Sequence, residues 1–298
     1  MTKRQSPGRR LRTLIERDEI LVAPGAYDAI TGRLIEANGY EAVYMTGGGT
    51  VNAHLGLPDT GLATMTEMVE NAGRIAQAVS VPVICDADTG YGNAVNTMRT
   101  VRAYEAAGVA GIHIEDQVAP KRCGHLDGKQ IVPVEEMTGK VRAAAEARAD
   151  DDFVIIARTD APAVEGVDKA IERARSYVAA GADVIFSEAL TSEEEFRRFA
   201  DAGVGAPLLA NMTEFGKTPY LSTGQFQDIG YSVVIFPMLA FRTMVKAVDN
   251  ALGELRARGT QTGMLDRMTT REELYKLVDY PTYDQHERRF VREVGERH

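Results

Sequence analysis

Ala107-Gly-Val-Ala-Gly-Ile-His-Ile-Glu-Asp-Gln117 decides the fold. A helix-like stretch from Val95 to Ala107 runs into Gly108, and glycine is the residue that takes the left-handed conformation past a helix C-terminus without a Cβ clash. A short apolar run follows, Gly111 to Ile114, and then three polar residues. The same unit returns in Asn38-Gly-Tyr-Glu-Ala-Val-Tyr44, Ala180-Gly-Ala-Asp-Val-Ile-Phe186 and Ile229-Gly-Tyr-Ser-Val-Val-Ile235. Working outward, eight such runs read as strands: Ile20–Ala23, Ala42–Met45, Val81–Cys85, Gly111–Ile114, Phe153–Ala157, Val184–Phe186, Pro207–Ala210 and Val233–Phe236. They are continuous rather than alternating, as parallel strands covered on both faces must be. Helical patterns such as Met65–Ala78, Val134–Ala147 and Val167–Ala180 separate them. Eight βα units predict an α/β protein, a (β/α)8 TIM-type barrel, with a doubly wound sheet as the alternative. No linker composition divides residues 1–298, so one barrel domain is expected, with 240–298 as a C-terminal helical extension. Its helices, Ala240–Arg258 and Thr270–Leu277, exceed what one barrel unit needs and are long enough to embrace a neighbouring subunit.

The 298 residues are 44% hydrophobic and 26% charged, an ordinary globular balance that calls for a packed core. A net charge of -9 opposes a surface built for nucleic-acid or membrane phosphates. It leaves open an anionic small molecule gripped by a few local cations. The basic start, Met1 to Arg10, leads into Leu-Arg-Thr-Leu-Ile-Glu-Arg17 rather than an apolar leader, and no apolar run is long enough for a bilayer. Two distant cysteines, Cys85 and Cys123, make no disulfide framework and fit a reducing cytoplasm.

In a barrel of this kind the chemistry sits just past the strands. Those positions hold Thr46-Gly-Gly-Gly49, Asp86-Ala-Asp88-Thr-Gly-Tyr-Gly92, Glu115-Asp-Gln117, Arg158-Thr-Asp160, Glu188 and Asn211-Met-Thr213. Asp86 and Asp88, two apart, face one side in extended geometry, and Glu115 comes from the next strand. Three ionised carboxylates at one edge need a cation. An all-oxygen donor set favours Mg2+ or Mn2+ over zinc; helix capping is the structural alternative for each Asp. Lys121-Arg-Cys-Gly-His125, followed by Leu-Asp-Gly-Lys129, reads as a glycine-hinged cationic loop suited to cover an anion. Cys123 within it is placed to exchange a proton, whereas Cys85 reads as a buried small hydrophobe. His113, inside a strand, reads as structural, and His125 is a weaker signal. Gly47 and Gly48 match no nucleotide-binding spacing and offer backbone N–H groups to a carboxylate. Arg158, Arg242 and Arg271 are suited to bidentate carboxylate contacts, with Asn211 and Thr213 as polar partners.

Together these segments resemble the isocitrate lyase/phosphoenolpyruvate mutase superfamily over nearly the whole chain. Lys121-Arg-Cys-Gly-His125 looks like the catalytic loop of its lyase branch, and Asp86–Gly92 with His113–Gln117 is similar to its metal-site segments. Leu209-Ala-Asn-Met-Thr-Glu-Phe-Gly216, Phe241-Arg242 and Thr270-Arg-Glu-Glu-Leu-Tyr275 resemble the branch that cleaves 2-methylisocitrate to pyruvate and succinate in propionate breakdown. Thr46-Gly-Gly48 stands where that branch often has Ser-Gly-Gly, keeping the hydroxyl and adding a methyl. The resemblance implies Mg2+ on Asp86, Asp88 and Glu115, and Cys123 protonating the product carbanion. Tyr44 is a candidate for the hydroxyl proton, with Lys121 expected to lower its pKa. It also implies substrate contacts from Thr46, Gly47, Gly48, Cys123, Gly124, His125, Arg158, Glu188, Asn211, Thr213, Arg242 and Arg271. A small di- or tricarboxylate substrate and a homotetramer exchanging C-terminal helices are expected, with no nucleic-acid or membrane partner. Cleavage of 2,3-dimethylmalate, isocitrate or oxaloacetate, a carboxyphosphonoenolpyruvate-type mutase and a silent barrel scaffold are the competing readings.

Overall fold

The structure is a computed structural model and describes residues 5–122, 124 and 128–295. Eight parallel strands close into a barrel in sequence order: β1 Leu21–Ala26, β2 Val43–Met45, β3 Val83–Asp86, β4 Gly111–Glu115, β5 Val154–Thr159, β6 Val184–Ser187, β7 Leu208–Asn211 and β8 Val233–Phe236. Closure comes from β1 pairing with β8, Leu21 opposite Val233 through Pro24 opposite Phe236. Each apolar run recognised in the sequence is one of these strands. The main difference lies at their C-terminal ends, where β4, β5, β6 and β7 continue through Glu115, Thr159, Ser187 and Asn211. The polar residues expected after the strands therefore partly end them. β1 also outruns its expected end at Ala23, because Pro24 and Gly25 read locally as turn formers. A Cβ on Gly25 would lie 2.1 Å from the Pro237 carbonyl oxygen, so only glycine lets the chain continue there.

Side chains alternate along each strand. Val43, Met45, Val83, Cys85, Ile112, Ile114, Ile155, Ala157 and Ile185 belong to the core cluster shared with residues of the surrounding helices. Tyr44, Ile84, Val154, Ile156, Phe186, Leu209, Val233 and Ile235 belong to a second, interior cluster. That cluster is completed by Leu11 and Ile15 of the helix Pro7–Ile15. This helix starts on a Ser6 cap and lies at the N-terminal ends of β5 and β6. There Arg12 donates to the Asp152 and Phe153 carbonyls at 2.9 and 3.4 Å and pairs with Asp183 at 2.8 Å. A chain start that read as merely basic thus forms the barrel floor.

The chain falls into two compact units, one through Phe241 and one from Arg242 onward. The long helix Leu239–Arg258 crosses that boundary. The second unit continues with a 3-10 turn, Thr262–Arg267, and the helices Arg271–Leu277 and Tyr280–Gly295, where Tyr275 and Tyr280 stack at 4.7 Å. Thr270, in the segment singled out above, forms a capping box with Glu273. Among the described residues no helix is long and apolar enough to cross a membrane.

Candidate active site

The two-residue period that buries Ile84 and Ile156 inside the barrel carries on to the polar strand ends. Asp86 and Asp88 follow Ile84, Glu115 follows His113, Arg158 and Asp160 follow Ile156, Glu188 follows Phe186, and Asn211 follows Leu209. Register then sets them side by side, Asp86 opposite His113 and Glu115 opposite Arg158. All are buried.

The Asp86 carboxylate accepts the Asp88 N–H at 2.9 Å, and the Asp86 carbonyl accepts the Tyr104 hydroxyl at 2.9 Å. Asp88 sits in a left-handed conformation, φ 46°, in a turn that Gly90 and Gly92 make passable. Lys121 bridges from the loop after β4, its ammonium 2.5 Å from Asp59 and 3.0 Å from Asp88. Burial works against that charge, but Asp88, Asp59, Asp86 and Glu115 outweigh it and hold Lys121 charged well above its usual range. Burial likewise raises the Asp86 and Asp88 carboxyls, with Lys121 opposing. Glu115 is pushed furthest: burial raises it, against Arg158. Its Oε2 lies 3.0 Å from Arg158 Nη1 without hydrogen-bond geometry, and among the described residues neither of its oxygens has a hydrogen-bond partner.

Dry, under-partnered carboxylate oxygens beside two further acids suit a hard cation. Among the described residues, however, no three His, Cys, Asp or Glu side chains converge into a ready cage. The donor set therefore fits an ion that keeps several waters, which is the habit of Mg2+ rather than of zinc.

Arg158 organises the opposite wall. Its Nε donates to Asp160 Oδ2 at 3.0 Å, Nη2 lies 3.5 Å from Glu188, and the guanidinium stands 5.2 Å from the Phe186 ring centre. Asn211 Nδ2 donates to Glu188 at 3.2 Å, leaving Asn211 Oδ1 buried without a partner among the described residues. Thr213 is buried beyond it. Gly124 lies directly on this wall: a Cβ there would come within 2.5 Å of Arg158 Nη2. On the first side, Thr46 caps the short helix Gly47–Thr50 through Gly49 N–H at 3.2 Å, so its hydroxyl is already engaged. Gly47 and Gly48 present first-turn N–H groups that helix geometry leaves unbonded.

Tyr44 points inward and shares a 2.8 Å hydrogen bond with His113 Nε2, whose ring stacks on it at 5.8 Å. Burial first and Asp86 second push the Tyr44 hydroxyl well above its usual range, while Arg158 and Lys121 pull the other way. Lys121 thus opposes the rise without reversing it, contrary to the expectation of a lowered value. His113 is pushed down to about 3, by burial first and then by Arg158 and Lys121, so its imidazole is neutral. It stands 3.7 Å from Asp86, inside the site rather than in a remote structural role. Cys123 and His125 lie outside the described residues. Arg242 and Arg271 lie in the second unit, Arg242 in the first turn of Leu239–Arg258 and Arg271 opening its own helix.

Sequence reasoning missed Asp59. Its signal was an acid in the Leu57-Pro-Asp-Thr-Gly61 turn that leads away from β2. It also missed the layer behind Arg158, where Asp116 accepts from Thr159, Tyr177 and the Asp160 N–H at 2.7, 2.8 and 2.8 Å.

The phosphoenolpyruvate phosphomutase family profile matches residues 11–256. The chain belongs to the PEP mutase/isocitrate lyase family. Among its relatives, the 2-methylisocitrate lyase of Aeropyrum pernix is 51% identical over 292 residues, covering 98% of this chain and 94% of that protein. The 2,3-dimethylmalate lyase of Eubacterium barkeri is 48% identical, covering 90% and 93%. In structure, a phosphonopyruvate hydrolase solved with oxalate and Mg2+ superposes with a TM-score of 0.88 at 30% identity, covering 96% of this chain and 100% of that one.

Proposed function

We propose that this family member is a Mg2+-dependent carbon–carbon lyase cleaving 2-methylisocitrate to pyruvate and succinate. The observation that carries the reading is 51% identity to a 2-methylisocitrate lyase across 98% of the chain, with the acidic and arginine walls described above intact. Asp86, Asp88 and Glu115 would hold Mg2+, or Mn2+ in its place, directly or through water. When bound, the ion supplies positive charge to the α-hydroxy and carboxylate oxygens.

Cleavage requires loss of the hydroxyl proton, transfer of the broken bond's electrons onto the carbon next to a succinate carboxylate, and protonation there. Tyr44 is assigned the first proton. Burial and Asp86 hold the Tyr44 hydroxyl protonated, so it can take that proton only as the phenolate that Arg158 and Lys121 favour. Arg158 takes a carboxylate and steadies the developing negative charge, while Asn211 Oδ1, Thr213 and Glu188 complete the polar wall. Gly47 and Gly48 face the other end of the substrate with backbone N–H groups, beside Thr46, whose own N–H is held by the Ala26 carbonyl at 3.1 Å. Cys123 delivers the final proton, flanked by Gly124 and His125, and Arg242 and Arg271 take the remaining carboxylates. A cytoplasmic homotetramer exchanging its C-terminal helices completes the proposal; the apolar side chains exposed on those helices, such as Leu252, Tyr283 and Val291, are what such an exchange would cover.

Pyruvate release from 2-methylisocitrate, with and without chelator, tests the proposal. A hundredfold preference over isocitrate, oxaloacetate and 2,3-dimethylmalate, about 2.7 kcal/mol of transition-state discrimination, is the expected result. The 48% identical relative favours 2,3-dimethylmalate as the second reading. Turnover of that dicarboxylate alone would select it and leave Arg242 and Arg271 a single carboxylate between them.

A further inference from the structure

The polar segment after β4 is tied to the barrel at two peptides. Gln117 grips residue 122 twice: its Nε2 donates to the Arg122 carbonyl at 2.8 Å, and its Oε1 accepts the Arg122 N–H at 2.9 Å. Lys129 reaches back to residue 124. Its ammonium donates to the Gly124 carbonyl at 2.5 Å and to Asp160 Oδ1 at 2.7 Å, and its side chain is 2% exposed. Asp160 Oδ1 also accepts Arg158 Nη2 at 3.3 Å, while Oδ2 takes Arg158 Nε.

A lysine this dry requires a matched charge, and a surface ion pair would have met that need without enclosing it. Lys129 instead spends a second donor on a peptide carbonyl whose residue lies against the working arginine. A Cβ at Gly124 would approach Arg158 Nη2 to 2.5 Å and Glu188 Cγ to 2.6 Å, so the backbone there has no slack.

We propose that Lys129 is a positioning residue: it ties the Gly124 peptide to Asp160, and through Asp160 to Arg158, so that both chain neighbours of position 123 are fixed to the barrel wall. Only the kinetic consequence of this tie rests on the lyase reading. If Cys123 delivers the final proton, loosening residue 124 slows that step while leaving substrate binding in place.

Lys129→Met keeps the length and removes the charge and the donors; Lys129→Arg keeps the charge. The first readout is iodoacetamide labelling of the ligand-free protein, followed by mass spectrometry. The chain has two cysteines, and Cys85 is fully buried, so its labelling reports unfolding. Cys123 is expected to label about tenfold faster in Lys129→Met than in the wild type, with Lys129→Arg in between and Cys85 unlabelled throughout. Equal Cys123 rates overturn the proposal, and so does Cys85 labelling in step with Cys123, which would mean that Lys129 merely holds the fold together. The second readout is kcat for pyruvate release, expected to fall about a hundredfold in Lys129→Met with KM within about threefold. A loss confined to KM overturns the positioning role. A wild-type protein that cleaves none of the acids would remove the lyase reading, and the labelling comparison would still decide on Lys129. If Lys129→Met does not fold, Lys129→Arg carries both readouts, with about threefold changes expected.

Discussion

Replacing Gly47 by alanine tests how tightly the second strand's exit is built against the acids. A methyl there would sit 2.2 Å from Asp86 Oδ2, whereas one on Gly48 would sit 3.2 Å from Asp59 Oδ2; ordinary contact starts at 3.4 Å. Neither glycine has a left-handed backbone, so alanine brings no conformational strain of its own. Asp86 must therefore retreat by about 1.2 Å in Gly47→Ala, while Asp59 need move only about 0.2 Å in Gly48→Ala. A misplacement of about 1 Å costs on the order of a hundredfold in rate, or about 2.7 kcal/mol of barrier. Overpacking the wall should cost stability by about 1–3 kcal/mol. We expect kcat/KM for pyruvate release to fall about a hundredfold in Gly47→Ala and less than about threefold in Gly48→Ala. Gly39→Ala is the control: its φ of 85° strains any side chain and nothing lies within 4 Å, so it should lower stability and spare kcat. Activity and Mg2+ dependence unchanged in Gly47→Ala would refute the reasoning.

Three further outcomes follow from the same geometry. Asp116→Ala strands the Thr159, Tyr177 and Asp160 donors and takes away the second carboxylate beside Arg173, 3.6 Å away, which keeps Glu165. Urea unfolding should show a loss of about 3–5 kcal/mol, and a loss under about 1 kcal/mol would sink the idea that this layer supports the site. Glu165 is held below the ordinary carboxylate range by Arg173, Nε to Oε2 at 2.8 Å. A depressed folded pKa means stability present above the unfolded value and lost as pH falls through the folded one. The gap between wild type and Glu165→Gln, under about 1 kcal/mol at neutral pH because the pair is partly exposed, should shrink on acidification; a gap that grows would contradict the assignment. Cys123→Ser should abolish turnover while calorimetry still detects pyruvate and succinate binding with Mg2+, and full activity of the serine variant would remove Cys123 from the reaction.

The barrel was legible because its signals are local. A short apolar run can be read within about ten residues and located every strand, and at four of the eight a glycine after the preceding helix marked it as well. The catalytic face was legible for a related reason: counting by two from Ile84 or Ile156 reaches Asp86 and Arg158 without any knowledge of their partners. The same count back from Glu115 reaches His113, so its place beside Tyr44 was available and was passed over in favour of a structural role. Asp59 was not available, since its partner Lys121 lies 62 residues further on and nothing near Asp59 announces the pair. Lys129 failed for the opposite reason. It sits in a stretch whose polarity reads as solvent exposure, and only the fold shows its ammonium enclosed.

The helix Pro7–Ile15 has a consequence for traffic. Leu11 and Ile15 pack into the interior cluster and Arg12 is fastened across the N-terminal ends of β5 and β6, so apolar side chains fill the barrel at that end. The polar groups stand at the opposite, C-terminal ends of the strands. Tyr44 and His113, 3% and 0% exposed, are already withdrawn from bulk solvent there. A hydrogen handed to the product then comes from the enzyme's own store. In heavy water, a first turnover begun from protonated enzyme would carry that memory into its product.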